Sequence, residues 1–336
     1  TPGPFFGVER MLRMGRLRRA RPASPGLGRV RRGRGFGYLD ERGRPLRDEE
    51  PLARIRSLVI PPAWTEVWIA PHADDHIQVI GVDADGRRQY RYHERWTATR
   101  GRVKFDRMLE LARALPAARA GVTRDLALDG LGHDRVLAGA FRLLDLAGLR
   151  IGDRRSADER GTLGLTTLLG SHVTVRGPST VALRFTGKSG RLWDREVEDA
   201  ALAALVASLK RGRSGEILFA WRGDDDVRRA LTPAEVNVDL RRRTGAAVSA
   251  KDVRTLHGTA TAAMSLARSG WSASARERKS AVTMAIEAAA VELENTPAIA
   301  RSSYVDPRVV DRYERGQLVV EGLNRRPESI VLELLG

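Results

Sequence analysis

The sequence of 336 residues contains no cysteine. That excludes disulfide staples, thiolate zinc sites and cysteine nucleophiles together, and it fits a reducing compartment. Long apolar runs are missing as well. No stretch approaches the ~18 residues of a membrane-spanning helix, and the N-terminal residues lack the apolar core of a signal peptide. The expectation is a soluble protein of the cytoplasm, with no membrane partner. Nucleotide signatures fail next. There is no G-x-x-x-x-G-K-[ST], and Gly33 and Gly35 lie in arginine-rich text with no strand ahead of them. Gly-x-Ser-x-Gly is absent. Six histidines without cysteine give no zinc spacing, and proline and two aspartates around His72 and His76 argue against a helix joining them. Asp83 and Asp85 read as a turn closing on Gly86, without the twelfth-position glutamate of a calcium loop. No cofactor and no metal are expected.

Lysine is scarce. Only Lys104, Lys188, Lys210, Lys251 and Lys279 occur among 58 basic residues, the rest being arginine. In such a chain each lysine is a candidate for work that arginine cannot do. What is abundant is positive charge: the formal net charge is +16. Because the hydrophobic share is an ordinary 42%, the charge sits on a folded body, and a polyanion such as double-stranded DNA is the expected partner.

Along the chain, residues 1–34 carry ten arginines against one acid, Glu9, and read as a basic flexible arm. Residues 35–100 alternate short β-like runs with turn residues and read as a β-rich N-terminal DNA-binding domain. Residues 101–316 read as a larger, mainly helical domain, and 317–336 as a C-terminal tail. The helical text is interrupted near Val173–Trp193 by period-two strands, whose turn Gly187-Lys188-Ser189-Gly190 puts Lys188 at a hairpin tip. Thr232-Pro233-Ala234-Glu235 and Ser249-Ala250-Lys251-Asp252 are helix starts. Lys251 and Arg254 then share a helix face. Asn295-Thr296-Pro297 breaks an alanine-rich helix and opens a new one carrying Tyr304. The fold class is α+β.

Cutting DNA with a tyrosine would need a particular set of groups. A phenol, with a reference pKa near ~10, must be activated by positive charge or a base. The pentavalent phosphorane is met by guanidinium groups and a neutral donor. The 5′ oxygen must receive a proton, which lysine can give and arginine cannot. Six blocks resemble the type IB DNA topoisomerases, specifically the compact bacterial and poxvirus-like form. They are Ser57–Ile69 with its Pro61-Pro62-Ala63-Trp64, Gly86–Tyr92, Leu149–Gly152 followed by Gly161–Leu168, Thr186–Gly190, Lys251–Thr255 and Asn295–Pro307. In order, they span residues 35 to 313.

The resemblance implies relaxation of supercoiled duplex DNA by an enzyme shaped as a C-shaped clamp, a monomer associated with the nucleoid, using neither ATP nor metal. It implies Tyr304 as nucleophile holding a 3′-phosphotyrosyl bond, and Arg150 and Arg254 on the non-bridging oxygens. Lys188 would protonate the leaving oxygen with help from Lys251. Gln89, Tyr90 and Tyr92 would contact DNA, although strand alternation puts Gln89 on the face opposite the two tyrosines. Core packing is the alternative for those tyrosines.

Two positions depart from the pattern. Asn295 stands where many relatives carry histidine, so a neutral oxyanion donor is expected there. Ser156 stands where many carry tyrosine. A tyrosine recombinase is the nearest alternative, but its usual histidine three residues before the second arginine is here Lys251. A non-catalytic DNA-compacting protein is the alternative of another class; under it Tyr304 would be dispensable.

Overall fold

The computed structural model describes residues 4–187, 190–319 and 325–336. The chain divides into two compact units, residues 1–104 and 105–336.

The first unit opens with α1 (Pro4–Gly15), followed by β1 (Leu27–Arg32), β2 (Gly35–Leu39), α2 (Glu49–Ser57), β3 (Thr65–Ile69), β4 (Ile77–Val82) and β5 (Arg88–Tyr92). The five strands form one antiparallel sheet in the order β2-β1-β3-β4-β5. Leu27, Ile55, Ile69 and Val79 make its small core. The expected flexible arm over 1–34 is therefore corrected: its described residues include a helix and a sheet strand. The reason lies with Arg29, whose guanidinium donates to the Pro61 carbonyl at 3.1 Å and also to that of Trp64, while stacking on Phe36. An arginine that reads as a solvated charge thus ties the Pro-Pro-Ala-Trp turn to the sheet. Trp64 in turn covers Gly81, where an added Cβ would stand 2.7 Å from the indole. The Asp83 carboxylate closes the β4–β5 turn by accepting from the backbone N–H groups of Asp85 and Arg87.

Helix α3 (Glu94–Leu126) runs from the first unit into the second. The second unit then contains α4 (His133–Ala147), α5 (Arg154–Arg160), β6 (Val173–Arg176), β7 (Thr180–Thr186), β8 (Leu192–Glu198) and α6 (Ala200–Lys210). It continues with β9 (Ala220–Arg222), β10 (Arg228–Ala230), α7 (Pro233–Thr244), α8 (Ala250–Ser269), α9 (Ala275–Glu292), α10 (Pro297–Ser303), α11 (Pro307–Glu314) and α12 (Pro327–Leu335). Strands β6, β7 and β8 form an antiparallel meander; Lys188, on the turn between β7 and β8, lies outside the described residues. The expected helix starts are present. Thr232 and Glu235 cap α7 reciprocally, and the Asp252 carboxylate accepts from the Ser249 N–H and hydroxyl at the head of α8.

Residues 317–336 are not merely a tail: Ile330 and Val331 of α12 are buried in the main core. Glu328 and Asp145, both buried, clasp the partly buried Arg119. Burial opposes ionisation of Glu328, but the Arg119 hydrogen bonds outweigh it and lower its pKa. Its stabilisation is therefore full above the ~4.3 of an unfolded glutamate and fades as pH falls through the lowered folded value. Arg119→Ala would strand two buried carboxylates and should cost about 3–5 kcal/mol at neutral pH, measured by urea unfolding.

Candidate active site

Helix α8 presents Lys251 and Arg254 from its first turns. Arg254 is 2% exposed, and its Nη1 and Nη2 donate to the carbonyls of Gly148 (2.6 Å) and Leu293 (2.7 Å). Burial, then the neighbouring Arg150 charge, lower its pKa to about 10, so it is still a cation at neutral pH. Its Nε–H is buried and has no hydrogen-bond partner.

Tyr304 caps the C-terminal end of α10 rather than lying within it, and Pro307 opens the next helix. Its ring centroid is 5.1 Å from the Arg254 guanidinium carbon and 5.9 Å from Lys251 Nζ. Burial alone would push the phenol up. The charges of Arg254, Arg150 and Lys251 over-ride it and pull the pKa below the usual tyrosine value. The Thr259 hydroxyl donates to the Tyr304 carbonyl at 3.1 Å, and the Thr259 hydroxyl oxygen itself accepts from the Asp306 N–H. Gly258 permits this approach: a Cβ there would be 2.9 Å from the Tyr304 carbonyl oxygen and 2.8 Å from Leu293. Gly258→Ala should displace the tyrosine and slow any reaction at its oxygen by roughly 10- to 100-fold. Plasmid relaxation rates test this.

Arg150 follows α4. Gly164 lets the Gly161–Leu168 segment pass against it, since a Cβ would meet the Arg150 carbonyl oxygen at 2.6 Å. The Leu165 N–H donates to that same oxygen. The Arg150 Nη2 donates to the Asn295 side-chain oxygen and, at 3.4 Å, to the Glu294 carbonyl. Because a guanidinium can only donate, the Asn295 amide must turn its oxygen to Arg150. Its Nδ2, on a residue 4% exposed, is then left without a partner.

Two adjoining clefts, of about 300 and 330 Å³, share Arg150, Lys251 and Tyr304. The first is lined also by Arg254, Ser156 and Arg160, the second by Asn295 and Arg191. Tyr304, Arg150, Arg254, Lys251 and Asn295 are thus brought together. Sequence reasoning did not find Arg191, Arg195 or His257. Arg191 Nη1 donates to the Asn295 backbone carbonyl at 2.9 Å, and Arg195 bridges Glu292 and the Val291 carbonyl. His257 Nε2 donates to the Asp145 carbonyl at 2.9 Å. All three act on main-chain oxygens, which leave no sequence pattern. His76, by contrast, accepts from the Ala20 N–H and packs edge-on to Trp96.

In the first unit, Tyr90 and Tyr92 are exposed and stacked, with ring centroids 6.1 Å apart and Arg100 over the Tyr92 ring. They are not core residues. Gln89 is turned to the other face, where its amide donates to Asp83 at 2.8 Å.

A tyrosine whose phenol is acidified by two arginines and a lysine, beside an amide with a free donor, defines a cation-activated tyrosine site. The sequence model described as the catalytic core of eukaryotic DNA topoisomerase I matches residues 93–319. The model of the bacterial DNA topoisomerase IB N-terminal domain matches residues 35–83. The chain belongs to the type IB DNA topoisomerase family. It is 26% identical over 293 residues to the DNA topoisomerase 1B of Acanthamoeba polyphaga mimivirus, covering 84% of this chain and 86% of that protein. It is 29% identical over 132 residues to DNA topoisomerase 1 of Schizosaccharomyces pombe, covering 38% of this chain and 16% of the yeast protein. With DNA topoisomerase 1 of Candida albicans the figures are 32% over 95 residues, 28% and 12%. No described helix is long and apolar enough to cross a membrane.

Proposed function

We propose that the Tyr304 oxygen attacks a backbone phosphorus of duplex DNA, forming a 3′-phosphotyrosyl bond as the bond to the 5′ oxygen breaks. The leaving oxygen takes a proton from Lys188, with Lys251 assisting. The phenolic proton is lost to solvent, a loss that the Arg254, Arg150 and Lys251 charges favour. Reversal reseals the strand after the free end has rotated, and supercoiling relaxes. The observation that carries this reading is the Tyr304 ring lying 5.1 Å from a buried guanidinium in a cleft shared with Arg150 and Lys251.

Arg150 and Arg254 neutralise the charge growing on the non-bridging oxygens. Arg254 spends one N–H on each of two carbonyls and keeps the Nε–H and the remaining Nη hydrogens for phosphate. Asn295 supplies the neutral donor through Nδ2. Tyr90 and Tyr92 contact the duplex from their exposed face, and Gln89 either orders the Asp83 turn beneath them or contacts DNA through its free carbonyl. In this reading residues 35–100 serve as the DNA-binding lobe and 101–316 as the catalytic lobe. The enzyme works as a monomer at the nucleoid without nucleotide or metal.

Incubation with supercoiled plasmid in EDTA without ATP should give random relaxation, and rapid denaturation should trap a covalent protein–DNA adduct. Site-specific strand exchange would favour the recombinase reading, and binding without relaxation or adduct the compaction reading. Relaxation that stops in EDTA would overturn metal independence. DNA affinity should also fall steeply with salt through counterion release.

A further inference from the structure

Helix α9 ends in a reciprocal pair of backbone bonds. The Glu294 N–H donates to Val291 and the Asn295 N–H to Ala290, with Glu294 in the left-handed region at φ 48°. This is a Schellman-type ending with glutamate where glycine is usual. It leaves a short run of outward carbonyls, and four arginines from three separate places occupy them. Arg195 of β8 takes Val291, Arg254 of α8 takes Leu293, Arg150 takes Glu294, and Arg191 takes Asn295. The negative end of a helix dipole favours this gathering of cations. Two of these arginines, Arg150 and Arg254, belong to the proposed chemistry. The other two, Arg191 just before β8 and Arg195 within it, are four residues apart and have no role in it.

We propose that Arg191 is a positioning residue for Asn295. By holding the Asn295 carbonyl while Arg195 holds Val291 and Glu292, it fixes the left-handed turn between them. That keeps the Asn295 Nδ2–H presented to the cleft instead of rotating with its main chain. Arg150 restrains the amide from the oxygen side; Arg191 restrains the backbone that carries it. The inference rests on the reading of Asn295 as a transition-state donor.

A double-mutant cycle tests it, read as relaxation rate at saturating DNA alongside equilibrium DNA affinity. Asn295→Ala should slow the saturated rate about 100-fold. Arg191→Ala should slow it about 10-fold while affinity changes less than about threefold. In the Asn295→Ala background, Arg191→Ala should cost less than about threefold, because the group it positions is gone. Arg191→Gln, whose amide can still donate to the carbonyl, should recover most of the rate, and Arg191→Met, which keeps the stem but cannot donate, serves in the cycle should Arg191→Ala fold poorly. Multiplicative losses in the double variant would overturn the proposal. So would a loss of affinity with an unchanged saturated rate, which would make Arg191 a DNA contact. If Asn295→Ala alone relaxes at the parental rate, the donor reading itself fails, and that single arm identifies the failure.

Discussion

Tyr304→Phe should abolish both relaxation and the trapped covalent adduct while leaving DNA binding and thermal stability close to the parent. Phenylalanine keeps the buried ring and its position over Arg254 and Lys251. The backbone anchors through Thr259 and Asp306 involve no phenol oxygen and also persist. What disappears is the only atom proposed to bond phosphorus, and no neighbouring hydroxyl inherits its setting. Ser302 and Ser303 end α10 nearby, but Ser302 donates its hydroxyl to the Ala298 carbonyl. Agarose assays with denaturing adduct gels read both outcomes. Persistent adduct formation would remove Tyr304 as nucleophile, and persistent relaxation without an adduct would remove covalent catalysis.

Arg254→Ala should be nearly as damaging, slowing relaxation by at least about 10³-fold, since two separate effects are lost. One is the guanidinium at the phosphate. The other is electrostatic support for the phenolate: Arg254 is the foremost charge opposing burial at Tyr304. Without it the phenol pKa rises, so the residual rate should keep climbing to higher pH than the parent's. Arg254→Lys restores charge but cannot span the Gly148 and Leu293 carbonyls together. It should recover the pH profile more than the rate. A residual rate with an unshifted profile would mean that Arg254 serves the phosphate alone.

Much of this site was legible because its members differ chemically from their surroundings. Five lysines among 58 basic residues drew attention to Lys251, and the break before Pro297 located Asn295 and Tyr304. Arginine was harder to read, because its abundance hides which guanidinium carries a load. Arg29 looked like one charge in a mobile arm, yet it fastens a turn more than 30 residues away. Strand β1 escaped notice for the same reason: Arg29, Arg31 and Arg32 mask a partly buried run anchored by Leu27. Residues 317–336 were misread because the burial of Glu328 depends on Arg119, a partner 209 positions distant. The facing of Tyr90 and Tyr92 away from Gln89, by contrast, follows from strand periodicity alone.

The arginine-binding carbonyls at the end of α9 make this stretch intolerant of a change in length. Side-chain replacement at Val291 or Leu293 deletes none of those acceptors, because every residue brings its own carbonyl. Inserting or removing one residue between Glu292 and Leu293 would instead shift Arg254, Arg150 and Arg191 to a neighbour's oxygen. Exposed Val291 should therefore accept many residue types in a substitution library, while the stretch rejects single-residue insertions and deletions.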